Sequence, residues 1–329
     1  MPANPRLLSA IVITFNSAGH VATAMASVRA AARAAGWSVE FVVVDNASAD
    51  ASVEAAGHVA PDAVVIRNPM NAGFGAANNQ AFEVARGDYW LLLNPDAALS
   101  PDALPPLTAF LDERADAAGV GPSVESAGAA GAESSGMAPS IRSLIGHFLF
   151  LNRLLPYDRG GALRGFQLHR RSHPEPRRVD WLGGMALLLR PSAVREVAGF
   201  DATIFMYGED VDLGRRLREA GWTLWLLPAA RAKHLVAASQ GGVSARWIDA
   251  VHDLYARRAR RSQLVVFDAV LAAGLAVRAL AMAWRRPGHH DVHRRRIGAS
   301  ARRAAHLLTG SIAGGRGRIR SLADDDPTG

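Results

Sequence analysis

The sequence predicts an α/β protein with a mainly parallel sheet in a single domain and a helical C-terminal extension. Three observations carry this. Short apolar runs rich in β-branched residues alternate with alanine-rich helical patterns through the first half of the chain, the signature of strands joined by crossover helices. Asp45, Asn94 and Asp96 stand where those runs end, and ligands of open parallel sheets bind at carboxyl ends of strands. Beyond Ser244 the composition turns basic and apolar.

Taken in order, Leu8 to Phe15 (LSAIVITF) reads as a buried strand and Ser17 to Ala35 as a helix. Glu40 to Asp45 (EFVVVD) is a second strand, followed by a short helix and a third strand over Ala63 to Arg67. Gly75 to Ala85 reads as a helix and Tyr89 to Asn94 (YWLLLN) as a fourth strand. Gly119 to Ser140, rich in Gly, Ala and Ser, is expected to be a loop or weakly ordered insertion. Arg159 to Arg178 reads equally as an acceptor loop or a solvated connection. Gly183-Gly184 precedes the apolar run Met185 to Leu189, and Ser192 to Val197 reads as a short helix. Gly208 to Ala220 is a helix opened by Glu209, Asp210 and Asp212, and Thr223 to Leu227 is a strand leading to Lys233-His234. The implied domains are residues 1–243, a basic and apolar helical extension over 244–309, and a disordered tail over 310–329.

The chain of 329 residues is 49% apolar, enough for a large core, and has no cysteine. That excludes a disulfide framework and any thiolate metal site, so a metal must be held by oxygen or imidazole. Its apolar start is too short and too alternating for a signal peptide, which places the catalytic part in the cytoplasm. The net charge is +7, yet Arg246 to Arg320 holds 16 Arg against four Asp, about +12. Such asymmetry points to an anionic partner. The 21-residue run Leu264 to Trp284, interrupted by Asp268 and Arg278, is long enough to span a bilayer. Two ionisable residues within it favour a helix lying peripherally on the cytosolic face of the plasma membrane; a buried helix is the alternative.

Several residues have the chemistry of a glycosyl transfer from a nucleotide diphosphate. Asp45, in VVVDNASAD, can bind a nucleoside or cap a turn. Asp96, in LLLNPD, can hold a divalent cation or close a turn. Asp210 is a candidate general base and Glu209 can orient an acceptor hydroxyl, although acids in a first helical turn also suit the helix dipole. Asp212 can pair with Arg215 or Arg216. His234 can complete a metal site or serve a structural role.

The stretches AIVITFNS, VVVDNASAD, NPMNAGFGAANNQAFEVARGDYWLLLNPD, WLGGMALLLR and GFDATIFMYGEDVDLGRRLREAGW together resemble the family 2 inverting glycosyltransferases, most closely their bacterial rhamnosyltransferase branch. The resemblance covers residues 7–236. It implies a GT-A fold and a hexosyltransferase that uses Mg²⁺ or Mn²⁺. It places Thr14, Asn16, Asp45, Asn71, Gly73 and Asp96 on the nucleotide-sugar, Asp96 and His234 on the metal, Gly183 and Gly184 on the acceptor side, and Asp210 as the base for direct displacement. Asn94 departs from the paired-acid pattern, which loosens the expected metal geometry. The implied partners are a nucleotide-diphosphate sugar, dTDP-L-rhamnose or another hexose donor, and a glycan or polyprenyl-diphosphate-linked sugar of the cell envelope. An inner-membrane surface is a further expected partner.

Rival readings fit less well. A dinucleotide dehydrogenase would need a third glycine where Asn78 stands. A nucleic-acid-binding protein would show a zinc-ligand or RNP pattern, so no specific nucleic acid is expected. A catalytically inactive carbohydrate-binding protein would have no reason to retain the four candidate acids Asp45, Asp96, Glu209 and Asp210 together with the imidazole of His234.

Overall fold

The computed structural model describes residues 6–126, 135–149, 175–235 and 245–285. Its elements are β1 (Leu7–Thr14), α1 (Val21–Ala35), β2 (Ser38–Asp45), α2 (Ser52–Val59), β3 (Val64–Arg67), α3 (Phe74–Val84) and β4 (Tyr89–Leu93). These are followed by β5 (Ala97–Leu99), α4 (Leu104–Glu113), β6 (Ala117–Ser126), β7 (Ser135–Gly136), α5 (Ile141–Phe148), β8 (Arg177–Val179), β9 (Trp181–Leu182) and β10 (Ala186–Leu189). The last are α6 (Pro191–Glu196), α7 (Glu209–Glu219), β11 (Thr223–His234), α8 (Ala245–Ala256) and α9 (Arg261–Arg285).

The main sheet runs β3-β2-β1-β4-β10-β6-β11-β5, with β8 pairing on β11. Strands β1 to β4 are mutually parallel, β10 runs antiparallel between β4 and β6, and β6 and β11 are parallel. The alternation of side chains sorts the core into two layers. Leu8, Ala10 and Val12 of β1, with Phe41 and Val43 of β2, face helices α1 and α4. Ile11 and Ile13, with Val42 and Val44, face α3, α6 and α7. This is a sheet buried on both faces, which explains why its strands read as unbroken apolar runs.

The expected loop over Gly119 to Ser140 is corrected in part. Residues up to Ser126 form β6, Ser135–Gly136 form β7, and Ser140 caps α5. The glycines are there for space: a Cβ on Gly119 would lie 2.8 Å from Leu189 Cδ2, and one on Gly121 3.1 Å from Leu182 Cδ2. Glycine within a strand marks such close approach. Residues 127–134 and most of the expected connection Arg159 to Arg178 lie outside the described residues, as do 286–329. The expected strand Thr223 to Leu227 extends to His234, with an irregularity between Leu227 and Arg231 that carries the chain past Pro228.

Two compact units divide the chain, Met1–Tyr255 and Ala256–Gly329. Within the second, Phe267, Asp268 and Leu271 of α9 are buried, while Val265, Val266 and Val277 are exposed. Among the described residues, no helix is long and apolar enough to cross a membrane.

Candidate functional site

The carboxyl ends of β1 and β2 finish in register, Thr14 opposite Asp45, and both are buried. Thr14 Oγ1 donates to Asp45 Oδ1 at 2.8 Å, and Ser48 Oγ donates to the same oxygen at 2.6 Å. Ser48 N–H donates to Asp45 Oδ2 at 3.1 Å, so the carboxylate closes a turn as well as ending a strand. Asn16 laces this turn to β1: its N–H donates to Ser48 Oγ at 3.0 Å, and its Oδ1 accepts from Ala49 N–H at 2.8 Å. Asn16 adopts φ 50°, a left-handed conformation that asparagine tolerates better than most residues. Between them Phe15 is 50% exposed at the strand end.

A part-buried amide network, not foreseen from the sequence, joins this wall to the next. Asn46 Nδ2 donates to Gly73 O at 3.3 Å, and Asn46 Oδ1 accepts from Asn68 Nδ2 at 2.8 Å and Ala72 N–H at 3.4 Å. Asn68 and Gln80 exchange side-chain hydrogen bonds at 2.9 and 3.0 Å. Asn71 Oδ1 accepts from Gly73 N–H at 2.9 Å. Gly73 has φ 86°, and a Cβ there would overlap the Phe205 carbonyl. Phe74 N–H donates to that same carbonyl at 3.2 Å. Phe74 also fills the space over Gly184, where a Cβ would lie 2.6 Å from Phe74 Cε1. The structure thus brings Gly73, the Gly183-Gly184 turn and the segment before α7 together. No alternation or spacing in the sequence announces a network of neutral amides.

Asp96 and His234 meet because β5 pairs antiparallel with the end of β11, and Leu235 N–H donates to Asp96 O at 2.7 Å. His234 Nε2 sits 2.9 Å from Asp96 Oδ2, while Asp96 Oδ1 is buried without a hydrogen-bond partner. Asn94 serves the turn: its N–H donates to Met185 O and its carbonyl accepts from Ala97 N–H, both at 3.0 Å. That bond ties the Asp96 turn to the strand leaving Gly183-Gly184. A carboxylate with a vacant buried oxygen beside an imidazole nitrogen suits a divalent cation. Among the described residues there is no group of three such ligands, so a cation here would need further oxygens from a bound diphosphate.

Helix α7 is entered through two left-handed residues, Tyr207 (φ 64°) and Gly208 (φ 100°). A Cβ on Gly208 would lie 2.8 Å from Leu254 Cδ1 of α8. Glu209 is 8% exposed, packs over Gly75 of α3, and its Oε2 has no hydrogen-bond partner. Burial, reinforced by the charge of Asp210, pushes its carboxyl up to about 8. Asp210 is half-buried and accepts from Val211 N–H at 2.7 Å. Burial pushes it up to about 6 against the lowering effect of those backbone bonds. Asp212 pairs with both candidates, Arg215 at 2.8 Å and Arg216 at 2.7 Å. Burial alone would raise Asp212, but the two guanidinium bonds outweigh it and hold the carboxyl below its usual range. Arg216 also donates to Val197 O, fastening α7 to the end of α6.

The model of the glycosyl transferase family 2 matches residues 9–173, half of the chain. An N-acetylglucosaminyl-diphospho-decaprenol L-rhamnosyltransferase of Mycobacterium tuberculosis is 29% identical over 262 residues, covering 75% of this chain and 81% of the relative. A mannosyltransferase from Pyrobaculum calidifontis, solved with GDP-Man and Mn²⁺, superposes with a TM-score of 0.55 at 16% identity, over 99% of this chain and 89% of its own. GalNAc-T7, solved with UDP, GalNAc and Mn²⁺, gives a TM-score of 0.54 at 16% identity over 76% of this chain, which spans about half (48%) of the GalNAc-T7 chain. These likenesses show the GT-A fold.

Proposed function

The chain belongs to glycosyl transferase family 2, and from that premise we propose that it moves L-rhamnose from a nucleotide diphosphate onto an N-acetylglucosaminyl-diphospho-lipid, with inversion at the anomeric carbon. The observation that carries the reading is the pair of adjacent carboxylates at the head of α7, Glu209 buried over Gly75 of α3 and Asp210 only partly covered, with burial holding both above the usual carboxylate range. Two adjacent carboxyls in different surroundings can divide acid and base roles. The acceptor and the sugar follow the M. tuberculosis relative.

In this mechanism Asp45 accepts from the nucleoside, and the half-exposed ring of Phe15 offers a flat surface to the base. Asn71 and Gly73 border the donor. Asp96 and His234 would hold a divalent cation, Mg²⁺ or Mn²⁺, which would supply positive charge against the leaving diphosphate. Asp210, with a pKa near 6, is ionised at neutral pH and can take the acceptor hydroxyl proton as that oxygen attacks. Glu209 stays protonated at that pH, so the buried site carries one negative charge rather than two. A single displacement from the face opposite the diphosphate inverts the anomeric centre.

The exposed valines of α9 and the arginines preceding it, Arg257, Arg258 and Arg260, suit an anionic bilayer surface. Peripheral attachment at the cytosolic face would hold the enzyme beside a lipid-linked acceptor. Co-sedimentation with anionic vesicles, weakened by salt, is the expected behaviour.

The test is nucleotide release with a panel of sugar donors and a short-chain N-acetylglucosaminyl-diphospho-alkyl acceptor, with and without Mn²⁺. Asp210→Asn should lose roughly 10²–10⁴-fold in rate while keeping its fold, and the product should show inverted anomeric configuration by NMR. Strong preference for a hexose other than rhamnose would replace the donor. Full activity of folded Asp210→Asn would remove the base assignment.

A further inference from the structure

The segment Phe200 to Gly208 leads into α7 and displays three consecutive large side chains: Phe205 is 54% exposed, Met206 43% and Tyr207 36%. Exposed apolar side chains usually belong to loosely held loops, but here the backbone is held along its length. At its start, Phe200 N–H donates to Asn79 Oδ1 and Asn79 Nδ2 donates to Phe200 O, both at 2.8 Å. Asp201 then accepts from Thr203 N–H at 2.9 Å and Thr203 Oγ1 at 2.7 Å, and Ile204 is buried. In the middle, the Phe205 carbonyl takes the Phe74 N–H and leaves no room for a side chain on Gly73. At its end, Gly208 packs against Ala250 and Leu254.

Tyr207 adds a second observation. A bulky residue at φ 64° is strained by roughly 1–3 kcal/mol, and its ring is one-third exposed. Strain of this kind persists where it presents a group to a ligand.

We propose that Phe205, Met206 and Tyr207 form a rigid apolar platform that binds the ring of the acceptor sugar and delivers its hydroxyl to Asp210. The inference rests on the transferase reading above. The position fits: Tyr207 and Asp210 are three positions apart, at most about 11 Å even for extended chain, and α7 begins within that interval. The chemistry fits too. A pyranose has a hydrocarbon face that stacks on aromatic and thioether groups, with hydroxyls at its edge for polar groups nearby. The ligand surface is a neutral ring rather than a phosphate or an anionic bilayer, because Phe200 to Asp210 contains the carboxylates of Asp201 and Asp210 and no lysine or arginine. Anionic groups would be repelled from it.

The experiment uses the full chain, wild type against Phe205→Ala/Met206→Ala and Tyr207→Gly. Glycine accepts the left-handed backbone, so the second variant removes the ring while keeping the turn. Calorimetry measures the binding of nucleotide diphosphate with Mn²⁺, and separately that of the short-chain N-acetylglucosaminyl-diphospho-alkyl analogue. Steady-state transfer gives acceptor KM. Each variant is expected to weaken acceptor binding and raise acceptor KM about 10-fold, a typical loss for one aromatic contact, with nucleotide affinity within about twofold of wild type. Unchanged acceptor affinity, or an equal loss of nucleotide affinity, would overturn the platform. A deficit seen only with long-chain acceptors would assign the surface to lipid and overturn the sugar assignment. Wild type that binds the analogue through Tyr207 but transfers no sugar from any donor would uphold the platform and sink the proposed activity.

Discussion

Replacing Glu209 by glutamine keeps the shape of the side chain and removes its acidity. The carboxyl is buried over Gly75, and burial beside the charge of Asp210 pushes it up to about 8 from its ordinary value of 4.5. The folded protein therefore holds this proton more tightly than the unfolded chain does. Stability is highest below about 4.5, falls as pH rises from there to about 8, and is level beyond. At 1.36 kcal/mol per pH unit, the full window from 4.5 to about 8 corresponds to at most about 5 kcal/mol. Asp210 carries part of the same repulsion, so about 2–3 kcal/mol is the expected effect of Glu209 alone. In a unit of this size that is a difference of roughly 5–10 °C in Tm.

The assay is a pair of thermal melts at pH 5 and pH 9. Glu209→Gln should melt close to wild type at pH 5 and clearly above it at pH 9. An equal offset at both values would mean that Glu209 ionises in the folded protein at an ordinary pH, and the division of roles between the two carboxylates would collapse. Activity gives a second reading. Wild-type kcat/KM should rise through pH 6 as Asp210 ionises, and Glu209→Gln should keep that limb, because Glu209 is already neutral there. A folded variant that loses about 100-fold at pH 7, the scale of a lost catalytic group, would instead place Glu209 against the substrate.

Three further outcomes are expected. Asp96→Ala should weaken Mn²⁺ binding in the presence of nucleotide diphosphate by at least about 10-fold, read by calorimetry; unchanged affinity would move the cation elsewhere. Asn46→Asp replaces the Nδ2 donor to Gly73 O with an acceptor, and should raise donor KM about 10-fold, the worth of one buried hydrogen bond, with a smaller change in kcat. Gly73→Ala forces a side chain into the Phe205 carbonyl at φ 86° and should cost about 2 kcal/mol or more by chemical denaturation; a neutral substitution would show that the two loops do not meet.

The unbroken apolar runs in LSAIVITF, EFVVVD and YWLLLN made β1, β2 and β4 legible, because side chains on successive residues go to opposite core layers and both layers are apolar. Strand ends then located Asp45 and Asp96. What stayed illegible depends on partners distant in sequence. Gly119 and Gly121 read as loop residues because composition does not distinguish a flexible glycine from one crowded by Leu189 and Leu182. Asn46, Asn68 and Gln80 are unremarkable polar residues until folding brings their amides together. Asp96 and His234, 138 residues apart, become a pair only because β5 folds back on β11. The charges opening α7 were visible, but their burial was not: Glu209 turns under the helix towards α3, and Asp210 keeps only partial access to solvent.

The site's parts share a wall, and this decides how its variants must be read. From Asp45 the chain passes to Asn46, whose amide holds the Gly73 carbonyl. Gly73 abuts the Phe205 carbonyl, which also receives the Phe74 N–H. Phe205 leads through the strained Tyr207 and Gly208 directly to Glu209 and Asp210. Packed elements of this kind move between discrete arrangements rather than deforming smoothly. A change on the donor side can therefore displace the base without touching it, and a fall in kcat alone does not identify a catalytic group. The acid limb of the pH profile is the better witness. A substitution that only shifts the wall changes how much active enzyme there is but leaves the limb near pH 6, whereas one that alters the surroundings of Asp210 moves the limb itself.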